Sequence, residues 1–242
     1  MSNNQETLFH YLHEFRKRLI QSLSILLILF TILAYFANDL YTLLARPLLH
    51  YLPEGSGIIA THIIAPFYIP YELTFVVAFF AVIPIFLYQA WAFIAPALYP
   101  HEKRLIWPLL IISSILFYLG VLFAYFIIFP LLFHFLTLTA PQGVKIMPDI
   151  TQYLNFTLKM FFIFGLIFEI PVIMLFLIRV GIVTEEKCIA IRPYVIVGAF
   201  ILGMLLTPPD VLSQTFLAIP IWLLFECGIF CAKIFRISKR EG

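Results

Sequence analysis

Residues 16–37 read RKRLIQSLSILLILFTILAYFA, three cations followed by an apolar run with no further charge. A helix needs about 20 such residues to cross a hydrocarbon core of about 30 Å, and this run is long enough. It superficially matches a signal peptide, but it exceeds a usual apolar signal segment and lacks a clear small-residue cleavage site, so it reads as a retained anchor.

Outward from that stretch the same texture recurs. Of the 242 residues 63% are apolar and 12% charged, and the mean hydropathy is +1.03, far from the mix of a water-soluble domain. Six spans are expected, at about 19–37, 72–93, 105–136, 153–177, 194–207 and 211–232, in one transmembrane domain over residues 1–242 with a structured external loop at 38–71. Backbone satisfaction in lipid makes the spans helices, because the alternating segments of about 10 residues that build a barrel are absent. The expected fold class is an all-α integral membrane protein of six kinked helices forming a concave bundle.

Orientation follows from sorting the cations by loop. Arg16, Lys17, Arg18, Lys103, Arg104, Arg179, Lys187, Arg192, Lys233, Arg236, Lys239 and Arg240 fall on one side of a six-span chain. Arg46 and Lys145 fall on the other, with Lys159 inside the fourth span. Twelve against two sets both termini in the cytoplasm.

Prolines punctuate the spans. Pro84, Pro130, Pro171 and Pro220 each delete a helical hydrogen bond and crowd the preceding turn, which kinks the helix. The third span at 105–136 would be about 48 Å long, so it must tilt or bend at Pro130. Between Pro193 and Pro208 the fifth span measures only about 21 Å and falls short of the bilayer. The loop at 38–71 carries Pro47, Pro53, Gly55, Gly57, Pro66 and Pro70, which suggests a folded cap with short helices. Asp149-Ile150-Thr151 reads as the N-cap of the fourth span.

Chemistry is sparse. His13-Glu14 and His101-Glu102 begin like a zinc-protease helix but lack the second His at the required spacing, and no phosphate-cradling Gly-Lys-Ser/Thr loop occurs. No enzymatic activity, metal or cofactor is expected. Cys188, Cys227 and Cys231 have no zinc-ligand companions and read as structural.

Glu14 and Glu102 belong at the cytoplasmic surface, where two carboxylates can each grip a guanidinium bidentately. The plainer reading gives Glu102 a helix-dipole role and pairs Glu14 with Arg16 or Arg18. Glu169 lies deep in the fourth span, where an ionisable group costs several kcal/mol unless it faces a wet cavity, a partner or a proton, and this favours a functional role. Glu226 lies near enough to the cytoplasm to snorkel and reads as mostly structural, and Lys159 reads as a snorkelling side chain. Asp210 reads as a cap for the sixth span, and Gln214 as an amide that bonds a partner transmembrane helix.

The stretches Leu12-His13-Glu14-Phe15-Arg16-Lys17-Arg18-Leu19, Tyr88 through Tyr99, His101-Glu102-Lys103-Arg104, Phe168-Glu169-Ile170-Pro171 and Arg192-Pro193-Tyr194 through Gln214 together resemble the TatC family, the polytopic component of the twin-arginine translocase. The resemblance covers nearly the whole chain. It implies a bacterial inner-membrane receptor for signal peptides bearing consecutive arginines, which works in an oligomeric complex with single-span TatA and TatB type subunits. Folded proteins are then exported on the protonmotive force, with no cofactor and no nucleic acid.

By the same resemblance Glu14 and Glu102 bind the twin arginines, with Arg16, Phe93 and Leu98 also at the signal-peptide site. Pro47, Glu169 and Asp210 fall on positions tied to function, and Thr207 and Gln214 fall in the partner-docking region. The family commonly has His where this chain has Tyr11, so a role specific to that histidine does not carry over. From another class, a secondary transporter of a small solute is the alternative, but it predicts internal repeats between halves, and none is evident.

Overall fold

The computed structural model describes residues 2–43, 59–94, 106–132, 149–206 and 211–238, with side chains throughout these except at 2–12, 94, 106 and 234–238. Five helices are long and apolar enough to cross a bilayer: His13–Leu43, Ala65–Phe93, Trp107–Leu132, Ile150–Arg179 and Val211–Lys233. A shorter apolar helix, Arg192–Leu206, stands where the truncated fifth span was expected. Among the described residues there is no β-strand, so the all-α class holds. Large apolar side chains such as Leu27, Ile28 and Ile32 are exposed, the inverse of a water-soluble surface.

The described helices fall into two compact units. In the first, α1 (Ser2–Leu33) passes through a 3-10 turn at Ala34–Phe36 and stays helical to Leu43, and α2 runs over Ala65–Ile94. Their contact buries Leu26 against Ala78 and Val82, with Leu29, Phe30, Phe79 and Phe86 packed around them. Helix α2 starts before the expected residue 72, because Pro66 lies in its first turn, where a missing N–H removes no bond. Pro70 falls within the helix, and Thr74 Oγ1 donates to its carbonyl oxygen at 2.7 Å. Ser24 and Thr31 likewise donate to the carbonyls of Ile20 and Leu27, each at 2.8 Å, so exposed hydroxyls on an apolar helix are satisfied internally.

Helix α3 (Ile106–Phe123) begins in the first unit and ends in the second. Just ahead of Pro130, where a bend was expected, the helix widens into a π-turn at Ala124–Ile128, in which the Phe129 N–H donates to the Ala124 carbonyl five residues back. Widening the turn just ahead of the proline relieves the clash its ring would make. Gly120 lets α3 approach α4 closely, since a Cβ there would lie 2.4 Å from the Phe164 carbonyl oxygen.

Helix α4 (Ile150–Phe168) is capped as expected: the Asp149 carboxylate accepts from Thr151 N at 2.8 Å and Gln152 N at 3.1 Å. The Ile150 N–H donates to the Ile59 carbonyl at 2.9 Å, which pins a distant loop residue to the start of α4. At Glu169 the helix stops, and α5 (Ile170–Arg179) resumes with Pro171 in its first turn. Gly181, at φ +80°, ends α5 in a Schellman arrangement, with Ile182 N donating to Leu177 O at 3.0 Å and Gly181 N to Ile178 O at 3.1 Å.

A short α6 (Glu185–Ala190) follows, capped by Thr184, and then α7 (Arg192–Leu206) and α8 (Val211–Ser238). The 15 residues of α7 span about 22 Å. Helix α8 packs on both sides: Ala218 and Ile221 meet Ile167 and Ala199, while Phe225 and Ile229 meet Met174 and Cys188. Cys188 lies on α6, and burial together with the neighbouring Glu185 pushes its thiol pKa up, which keeps it protonated and inert.

Candidate functional site

Within the first unit, one face of α1 and the end of α2 assemble a compact polar cluster beside an apolar hollow. Residues four apart lie on the same face of a helix, and Glu14 accordingly meets Arg18. Arg18 donates from Nε at 3.1 Å and from Nη2 at 2.6 Å, both to Glu14 Oε1. Its third contact crosses to α2, where Nη1 donates to Gln89 Oε1 at 2.9 Å. Arg16 stands about 200° round the helix from either residue, so it cannot share the Glu14 carboxylate and is exposed.

Phe15 and Phe93 form an edge-to-face pair with ring centroids 5.7 Å apart. They are part of the wall of a hollow of ≈ 270 Å³, completed by Leu19, Phe86 and Ala90, with Arg18, Ser22 and Gln89 as its polar members. A second hollow of ≈ 460 Å³ is lined by His13, Glu14, Lys17, Arg18 and Gln21. Arg18 lines both. Chemically this sets a carboxylate that takes two guanidinium donors on one oxygen next to an apolar recess, the pairing needed to hold a cationic peptide followed by apolar side chains.

Glu14 and Phe93, both expected at the site, are thus brought together with Arg18, while Arg16 is close in sequence and turned away. Glu102, Leu98, Pro47, Thr207 and Asp210 lie outside the described residues, as does the side chain of Tyr11. Glu169 is in the second unit, 4% exposed, at the α4–α5 break, where its backbone N–H still donates to Leu166 O at 3.1 Å. A carboxyl buried at a helix discontinuity is the setting in which an intramembrane acid acts.

Gln214 opens α8 opposite Gly203 of α7. A Cβ on Gly203 would lie 3.2 Å from the Gln214 Cα, so the two helices touch backbone to backbone there. Glu226 has a structural partner: its carboxylate accepts from Arg192 Nη2 at 2.6 Å, an ion pair that joins α8 to α7. Lys159 is exposed on α4.

Sequence reasoning missed Gln89 and Ile59 as organising residues. An amide inside an apolar span is a standing signal for an interhelical hydrogen bond, so Gln89 was findable. Ile59 acts through its backbone carbonyl and leaves no such mark.

Residues 10–220 match the family of the Sec-independent protein translocase protein (TatC). The chain is 51% identical over 230 residues to the Sec-independent protein translocase protein TatC of Escherichia coli strain K12, covering 95% of this chain and 89% of that one. It is 52% identical over 244 residues to the TatC protein of Haemophilus influenzae, covering 100% and 95%. A crystal structure of the twin-arginine translocase receptor TatC superposes with a TM-score of 0.81 at 40% identity, over 93% of this chain and 98% of that one. The helices and these relatives together make the chain a multi-pass membrane protein, and it belongs to the TatC family of Sec-independent protein translocase proteins.

Proposed function

We propose that this chain is the receptor and core component of a twin-arginine translocase, binding consecutive arginines of signal peptides at the Glu14 cluster. The observation that carries the reading is that Glu14 already holds a guanidinium, that of Arg18, by two donors on one oxygen beside an apolar recess. Arg is a planar fork and Lys a rotating point charge, so such a carboxylate prefers Arg-Arg to Lys-Lys by geometry as well as charge. Glu102 supplies the second acid, with Arg16, Phe93 and Leu98 completing the peptide site.

In this reading the chain is a single six-span domain in a bacterial inner membrane with both termini cytoplasmic, and the cluster faces the cytoplasm. Single-span TatA and TatB type partners dock at Thr207 and Gln214, and several copies work in one complex. Folded cargo crosses on the protonmotive force with no covalent change, and Glu169, Pro47 and Asp210 serve transport rather than recognition.

Binding of a labelled signal peptide to the full-length protein in lipid nanodiscs tests the reading. Arg-Arg peptide is expected to bind wild type, and to lose about tenfold or more in affinity with Glu14→Ala, as removal of one charge-assisted bidentate contact predicts. Equal affinity for Arg-Arg and Lys-Lys peptides would overturn it.

A further inference from the structure

Arg18 presents the Glu14 cluster with a puzzle of occupancy. A carboxylate proposed to receive an incoming guanidinium is already engaged at one oxygen, Oε1, by a guanidinium from its own helix, with Arg18 24% and Glu14 26% exposed. Arg18 commits three of its five donors, two to Glu14 and one to Gln89 on the neighbouring helix. Gln89 therefore holds Arg18 independently of Glu14.

We propose that Arg18 is the resting occupant of Glu14 and the specificity filter of the site: a peptide guanidinium binds by displacing Arg18, which Gln89 retains in a second seat. The inference rests on the reading of Glu14 as a peptide-binding acid. An open carboxylate would attract any cation, including the lysines common at the start of signal peptides. Engaged by two guanidinium donors that converge on Oε1, it yields to a ligand that presents the same pair in a fixed planar arrangement, which a rotating ammonium does not. Discrimination then comes from a built-in competitor, and the competitor is a repulsive element against the wrong peptide as much as an attractive one for the right peptide.

Gln89 lowers the barrier to exchange. When Glu14 is taken, Arg18 keeps its bond to Gln89 Oε1 at the rim of a recess whose polar members already include both side chains. A desolvated guanidinium left with no acceptor would carry a large penalty. Gln89 is thus a positioning residue that acts through Arg18.

Five variants of the full-length protein in lipid nanodiscs test this with Arg-Arg and Lys-Lys signal peptides: Arg18→Lys, Gln89→Leu, Arg18→Gln with and without Gln89→Leu, and Glu14→Ala. Arg18→Lys keeps the charge and loses the fork, so the ratio of Arg-Arg to Lys-Lys affinity is expected to fall about tenfold. An unchanged ratio would overturn the filter. Gln89→Leu is expected to weaken Arg-Arg binding about threefold, and to have no effect when Arg18 is already Gln. An equal effect in both backgrounds would show that Gln89 acts without Arg18 and would sink the displacement. Glu14→Ala separates the two levels: undiminished Arg-Arg binding by that variant overturns the peptide site itself, whereas lost binding with an unchanged ratio in Arg18→Lys overturns the filter alone.

Discussion

Arg192 Nη2 and Glu226 Oε2 lie 2.6 Å apart, an ion pair that joins the first residue of α7 to the later half of α8 across 34 residues of chain. Arg192 is 41% and Glu226 26% exposed, which places the pair among partly solvated ion pairs worth about 1 kcal/mol or less. Removing one partner leaves the other charge against apolar helix. Glu226→Ala is expected to lower the Tm in detergent by about 3 °C, and Arg192→Glu by more, because it sets two carboxylates together. The exchange Arg192→Glu with Glu226→Arg is expected to recover most of the loss, read by thermal unfolding of the purified protein.

Gly120 offers a steric test with an internal control. A side chain there meets the Phe164 carbonyl oxygen at 2.4 Å, backbone that cannot rotate away, whereas a Cβ at Gly198 meets nothing within 4 Å. Gly120→Ala is expected to destabilise by about 1–3 kcal/mol, and Gly198→Ala to be tolerated. Thermal melts of the two variants side by side decide it.

Glu169 interrupts a transmembrane helix and is almost fully buried. If it acts by polarity, Glu169→Gln retains more transport than Glu169→Leu, because an amide still bonds in a polar niche and an isobutyl group does not. Equal defects would point to a required charge or proton. Transport of a folded reporter into inverted membrane vesicles is the measurement.

These cases show where the sequence was legible. Asp149 announced its cap because an Asx residue just before an apolar run has one structural use, and the structure places both bonds there. The short fifth helix was visible because Pro193 and Pro208 bound it. Pro66 and Pro70 misled, reading as loop breakers: Pro66 lies in the first helical turn, where a proline loses no bond, and Pro70 is accommodated inside the helix. Pro130 and Pro171 marked irregularity without its form, one a π-turn and the other a break with Glu169 at its centre. At the candidate site the Glu14–Arg18 pair follows from helical spacing, but the bond from Arg18 to Gln89 spans 71 residues and depends on how α1 and α2 pack. Periodicity within one helix carries no such information.

The shortness of α7 gives a prediction that separates recognition from transport. A helix of about 22 Å thins the bilayer beside it, and recruited partners assembling there meet a lower barrier. Inserting one helical turn into Arg192–Leu206 is expected to impair transport in vesicles by severalfold while leaving Arg-Arg peptide binding intact. Unchanged transport would sink the idea.

The most direct measurement is site-specific photocrosslinking from a photoreactive residue at Phe93, which lines the recess beside Arg18 and Gln89, in native membranes with partner subunits present. The signal-peptide site proposed here predicts crosslinks to an Arg-Arg signal peptide that fade with a Lys-Lys peptide and vanish with Glu14→Ala or Glu102→Ala. Crosslinks of equal strength in the presence and absence of the arginines and the two acids would contradict it.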